Sequence, residues 1–180
     1  MTPEAAIAEL KALGNPIKAA EMANYHKVSR TYLGVSNPEL DRLAKGWRTI
    51  LNVEERVATS AALWRTDGHE VRILAAKLLT LARLRPSDVS AWELIRSWVS
   101  DFDAWAIADH ACMAGAKRVG WEPSRLTDIE HWHRSEHMWT RRAALVITLP
   151  WTKQNNPKPE ELAIRDQVLG WAATYVDAPE

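Results

Sequence analysis

The chain has one cysteine, one phenylalanine, three tyrosines and seven glycines in 180 residues, and no excess of charge of either sign. Each scarcity excludes something. A lone thiol, Cys112, cannot close an intramolecular disulfide, so no disulfide within the chain holds the fold and a reducing, cytoplasmic compartment is the expected setting. In its Ala-rich surroundings Cys112 reads as a small buried helix residue. No apolar run approaches the ~18 residues that a membrane span needs, and no basic-then-apolar leader opens the chain, so a soluble, unexported protein is expected. No Gly-rich phosphate loop and no Ser-His-Asp arrangement can be picked out, which weakens nucleotide-binding and hydrolase-triad readings. Lys plus Arg balance Asp plus Glu at 23 each, which counts against a partner held by bulk electrostatics alone.

Tryptophan is the abundant residue. Ten of them, several times the usual share, accompany 47% hydrophobic and 26% charged residues, the profile of one globular domain over residues 1–180. Trp47, Trp64, Trp92, Trp98 and Trp132 fall where helices should pack and are expected in the core. The zero net charge also hides an asymmetry. Residues 111–158 carry eight basic against four acidic side chains, and the closing stretch 159–180 carries five acids and one Arg.

Helical periodicity runs through almost every segment, and no stretch alternates apolar and polar residues with β-branched enrichment, so the fold class is all-α. Thr2-Pro3-Glu4 and Ser36-Asn37-Pro38-Glu39 are cap-then-Pro starts, Asn52-Val53-Glu54-Glu55 is another start, and Gly14-Asn15-Pro16 and Asp67-Gly68 are breaks. Further helices are expected at about 17–28, 69–84, 92–99, 125–134, 137–149 and 159–176, with Asp103 capping a helix that ends near Gly120. Long apolar helices centred near 76, 111 and 143 recur about every 35 residues, each preceded by a shorter one. That period predicts stacked helical-hairpin repeats, whose inner helices would line a concave surface; a plain helix bundle stays open. At an offset of 69 residues Arg72 overlays Arg141 and Ala75 overlays Ala144.

Candidate chemistry centres on Asp109. It lies one turn after Trp105 in an Ala-rich helix, where an acid has low propensity and must be paired or serve chemistry. Residues four apart share a face, so an indole and a carboxylate project together. The bland alternative is an ion pair between Asp109 and an Arg of a neighbouring helix. Arg141 and Arg142 suit phosphate, but adjacent residues differ by about 100° around a helix, so at most one points where Asp109 points. His131, His133 and His137 lack metal-ligand spacing or a partner Cys, and a solvated turn is expected there; no metal and no cofactor are predicted.

In order and spacing, several segments resemble the AlkD-like DNA alkylation repair enzymes, HEAT-like repeat glycosylases that excise N3- and N7-alkylated purines. They are Met22-Ala23-Asn24-Tyr25-His26-Lys27, Tyr32-Leu33-Gly34-Val35, Leu63-Trp64 with His69-Glu70-Val71-Arg72, Trp105 to Asp109, and Met138-Trp139-Thr140-Arg141-Arg142-Ala143-Ala144. The resemblance implies a curved α-solenoid, Asp109 as catalytic carboxylate and Trp105 as its aromatic partner. It implies Arg142, ahead of the Ala-Ala pair, on the DNA backbone, with Arg141 beside it and Tyr25 lining the same cleft. The implied partner is double-stranded DNA carrying an alkylated purine, bound by a monomer without a deep base-flipping pocket. The family continues beyond Val176 with a further Trp-bearing helix, so the chain is expected to be short at its C-terminal end. A DNA-structure-binding relative without activity and a protein-binding helical scaffold are the alternatives, because fold alone does not fix function.

Overall fold

Capping chemistry sets most of the helix starts. The computed structural model describes residues 2–176; Asp177 and Glu180 of the acidic closing stretch lie outside them. Thr2 Oγ1 accepts the N–H of Ala5 at 3.2 Å and opens α1 (Pro3–Ala12). Asn15 Oδ1 accepts from Ile17 and Lys18 at 3.0 and 3.1 Å and opens α2 (Pro16–His26). The Glu39 carboxylate reaches back to the Ser36 N–H at 2.9 Å at the head of α3 (Asn37–Ile50). Asn52 and Glu55 cap each other's N–H at 2.9 and 2.8 Å before α4 (Val53–Trp64). Each such cap is worth about 1 kcal/mol. The chain continues through α5 (His69–Leu79), α6 (Val89–Ser97), α7 (Trp105–Trp121), α8 (Leu126–Glu130), α9 (Met138–Thr152) and α10 (Pro159–Ala173), with 3-10 turns at Val99–Asp101, Pro123–Arg125 and Trp132–Arg134. The described residues are all-helical, with no strand beyond an isolated bridge between Thr31 and Gly68.

The helices predicted near 76, 111 and 143 are α5, α7 and α9, and they lie side by side. α3 packs on α5, α5 on α7, α7 on α9 and α9 on α10, while α4 and α6 pack behind α5 and α7. α5 is the centre: ten of its eleven residues are buried. The Trp side chains bind the second row together, and they do so periodically. Trp64 Nε1 donates to Asp101 Oδ2 and Trp92 Nε1 to Asp128 Oδ2, both at 3.1 Å and across 37 and 36 residues of chain. Trp64 also stacks on Trp98 at 4.1 Å between centroids, a pair worth about 0.5–1.5 kcal/mol beyond its burial. Trp47, Trp64, Trp92 and Trp98 are buried and Trp132 packs half-buried against the core.

Small residues let α7 and α9 approach closely. Ala108, Ala111, Ala143 and Ala144 are fully buried between them, and Cys112 is buried in the same seam. A Cβ on Gly115 would stand 2.3 Å from Ile147 Cδ1, so a larger residue there would make the Ile147 side chain shift. This close seam sets how near Arg142 on α9 can come to Asp109 on α7.

Three expectations are corrected. The helix predicted over 69–84 stops at Leu79, because the carbonyl of Leu81 leaves the helix to accept from Arg118, whose guanidinium is fully buried. Arg118 also donates to Asp88 at 3.0 Å, and Arg125 adds 2.6 and 2.9 Å bonds to the same carboxylate, holding the Asp88 carboxyl below its usual range chiefly through Arg125. Asp103 does not cap α7; Ala104 is the N-cap residue, and Asp103 is taken by Arg30 at 2.5 Å. The 131–137 turn is not all solvated: His133 is buried with its ring stacked on Trp171 at 4.9 Å, while His131 and His137 are exposed.

Candidate active site

One loop decides where Tyr25 sits. After α2 ends at Lys27 in a left-handed conformation (φ 55°), residues 28–35 cross the N-terminal ends of α5 and α7. His69 N–H donates to the Thr31 carbonyl at 2.9 Å, and Arg30, its side chain 2% exposed, bridges Asp103 at 2.5 Å and Asp67 at 3.3 Å. The Glu70 carboxylate, fully buried, accepts the N–H groups of Leu33 (3.1 Å), Gly34 (2.6 Å) and Val35 (3.2 Å). A run of N–H groups converging on one anion in this way is a backbone nest. Gly34 has φ +75°, and a Cβ there would stand 2.1 Å from the Asn15 carbonyl oxygen, so no other residue fits the turn.

The loop thereby brings Tyr25 edge-on to Trp105, with centroids 6.2 Å apart. Both rings are open to solvent, at 70% and 45% exposure, which is unusual for aromatic side chains in a protein that buries most of its others. One turn on, Asp109 is half-buried and held by Arg142. Arg142 Nε donates to Oδ1 at 2.9 Å and Nη2 to Oδ2 at 2.8 Å, a parallel two-bond pair. Donating these hydrogen bonds to Asp109 pushes the Arg142 pKa above its ordinary value. With 42% of the Arg142 side chain exposed, solvent screens the pair, and it stabilises the fold by about 1 kcal/mol or less. Four of the five predicted residues, Tyr25, Trp105, Asp109 and Arg142, therefore lie together.

The fifth does not join them. Arg141 Nη1 donates to the carbonyls of Ser135 and Glu136 at 2.8 and 2.9 Å, pinning the approach to α9. Arg72, its equivalent at the offset of 69, does the same work for α5: its Nε donates to the Trp64 carbonyl at 3.2 Å. The adjacent arginines of α9 thus point different ways, as the 100° step requires.

A group absent from the sequence prediction surrounds this face. His26 lies 5.5 Å from Trp105 and 4.3 Å from His69, and His69 lies 4.9 Å from Tyr32. His26, His69 and His110 line a cleft of about 260 Å³ that opens beside Tyr25 and Trp105. Burial depresses all three imidazoles, His69 to about 3 and His110 to about 4. The positions 26, 69 and 110 share no spacing that a single helix would reveal; only the neighbours of His26 and His110, Tyr25 and Asp109, hinted at a role. Among the described residues no cluster of His, Cys, Asp or Glu is arranged to hold a metal ion, and no helix is long and apolar enough to cross a membrane.

The depressed histidines make stability depend on pH. Unfolded histidine titrates near 6.5, so between about pH 6.5 and the folded values the unfolded chain holds more protons and stability falls as pH falls. The full contribution is present above about pH 6.5 and declines by up to about 1.4 kcal/mol per pH unit for each group. We expect Tm to drop from about pH 7.5 to about pH 5, and His69→Phe to flatten that slope. An equal slope in the variant would assign the loss to other groups.

No curated protein and no solved structure gives a significant match to the chain. A family model described as DNA alkylation repair enzyme matches residues 6–180, nearly the whole sequence. With an exposed Trp105 one turn from the Asp109 carboxylate on a helical scaffold and that match across its length, the chain belongs to the DNA alkylation repair enzyme family.

Proposed function

We propose that the protein is a DNA glycosylase that hydrolyses the N-glycosidic bond of N3- and N7-alkylated purines in duplex DNA, on a HEAT-like repeat scaffold. The observation that carries this reading is the half-buried Asp109 carboxylate, one turn after the open ring of Trp105 and held in place by Arg142. Alkylation at N7 or N3 leaves a purine cation. When its bond to C1′ breaks, both electrons go to the purine, which departs neutral without needing an acid. The charge passes to an oxocarbenium-like sugar, which a carboxylate stabilises. Water then adds to C1′ and loses its proton to Asp109 or to solvent. Exposed indole and phenol faces attract the cationic base and sugar, by about 0.5–2 kcal/mol according to desolvation.

Arg142 has two roles in this reading. In the free protein it fixes and neutralises Asp109. On the duplex a phosphate oxygen competes for the guanidinium, and its departure restores the full negative charge of the carboxylate beside the sugar. Arg141 serves the scaffold, through Ser135 and Glu136, rather than the DNA. The occupied lone pairs of Asp109 favour one rival, a duplex binder in which the pair is structural and no bond is cut.

Release of 7-methylguanine from a methylated duplex tests the proposal directly, and a chain that binds the duplex without releasing base supports the rival. Arg142→Gln is expected to lower the magnitude of the salt slope of duplex binding by about 0.9, the loss of one phosphate contact. An unchanged slope would remove Arg142 from the backbone.

A further inference from the structure

We infer that a groove beside the C-terminal ends of α7 and α9 binds single-stranded DNA, with a base stacked on Trp121 and phosphates on Arg83 and Lys117. This goes beyond the excision reading and does not depend on it. The groove, of about 320 Å³, is walled by Arg83 in the loop after α5, by the last turns of α7 and by Pro150 of α9. It is a different place from the face that carries Trp105 and Asp109. Trp105 and Trp121 are the first and last residues of α7, so they stand about 24 Å apart along the helix and roughly 160° apart around its axis.

The groove combines a stacking surface with uncompensated positive charge. Trp121 is 54% exposed, and the Arg83 guanidinium lies over its ring, with Cζ 5.2 Å from the centroid. An open indole takes the π-face of any base, which contributes about 1–3 kcal/mol per base. A continuous duplex hides those faces within its own stack, so an exposed indole favours unpaired nucleotides. The charge points the same way. Among the described residues neither Arg83 nor Lys117 makes an ion pair, and no acid lines the groove. Glu122, next in the chain, accepts from Ser124 Oγ at 2.7 Å and lines a neighbouring cleft with Glu93 and Asp128 instead. The floor is of small residues, Ala82 and Ala116, and a Cβ on Gly120 would meet nothing within 4 Å, which leaves room for a strand. Cations beside the C-terminal end of α7 also offset its dipole, by about 0.3–1 kcal/mol, but that role calls for neither an open indole nor an acid-free groove. Membership of a DNA repair family makes the strand DNA.

Anisotropy of a short fluorescent oligothymidylate, titrated with the full chain at several salt concentrations, tests the groove. Trp121→Ala should weaken binding by about fivefold or more, and Trp121→Phe, which keeps an aromatic face, should recover part of the loss. Arg83→Gln together with Lys117→Gln should lower the magnitude of the salt slope by about 1.4, two single-strand phosphate contacts at ~0.7 each. Gly120→Glu sets an acid in the open space above the floor and should weaken binding about as much as Trp121→Ala, while Tm stays within about 3 °C of the parent. Affinity of Trp121→Ala for a relaxed circular duplex, which has no unpaired end, should change by less than about twofold. Equal losses for the single strand and the circle would assign the groove to duplex binding and overturn the inference. Unchanged oligothymidylate affinity in Trp121→Ala would leave Trp121 and Arg83 as a surface pair and overturn it as well.

Discussion

Asp109→Asn is expected to lower release of 7-methylguanine from methylated duplex by at least about 10²-fold while duplex affinity stays equal or improves. Asn keeps the shape of the side chain and removes its charge, so the variant isolates electrostatics from packing. The reacting sugar gains positive charge only on the way to the transition state, and a fixed carboxylate is worth most at that moment. Binding should move the other way. The amide can no longer take both guanidinium donors of Arg142, which now make 2.9 and 2.8 Å bonds to the two carboxylate oxygens. Arg142 is then freer for phosphate, and one negative charge has left the DNA face. Single-turnover excision and equilibrium binding measured on the same preparations check the split. Parallel losses of affinity and rate would indicate a positioning role for Asp109, and an unchanged rate would exclude it from the chemistry.

Glu70→Gln should be the costliest single change away from that face, by about 3 kcal/mol, which for a chain of this length corresponds to a Tm lower by roughly 6–12 °C. Glu70 is fully buried, and one of its oxygens accepts from Leu33, Gly34 and Val35. The amide presents either a carbonyl oxygen, which keeps the three bonds but without the charge that strengthens them, or an NH₂ group facing three N–H donors, which leaves buried donors without a partner. The consequence reaches the Tyr25–Trp105 face, because the clasped loop sets α2, and α2 carries Tyr25 and His26. Thermal unfolding with far-UV detection measures the loss. A Tm within about 2 °C of the parent would mean that the loop is held by Arg30 and the backbone alone.

Much of the secondary structure was legible because it is local. Thr2, Asn15, Ser36 and Asn52 carry their cap chemistry in adjacent residues, and the ~35-residue recurrence of apolar helices marks α5, α7 and α9 without reference to anything distant. Helix ends set by distant partners were not legible. Leu79 ends α5 because Arg118, 39 positions later, claims a carbonyl beyond it, and Asp103 is drawn from a capping position by Arg30. His133 looked solvated in a polar turn because its stacking partner, Trp171, belongs to another helix.

The sequence by itself determined the all-helical class, the shared face of Trp105 and Asp109, and the rule that only one of Arg141 and Arg142 could meet that face. These follow from the 100° step of the helix and need no partner. The resemblance pointed to Arg142 and Tyr25, but only tertiary structure pairs Arg142 with Asp109, sets Tyr25 beside Trp105 and brings His26, His69 and His110 to one cleft. Those outcomes depend on how closely α7 and α9 approach across their alanines, and on a buried carboxylate that folds one loop over two helix ends. Both are distances between segments far apart in the chain, and no local pattern encodes them.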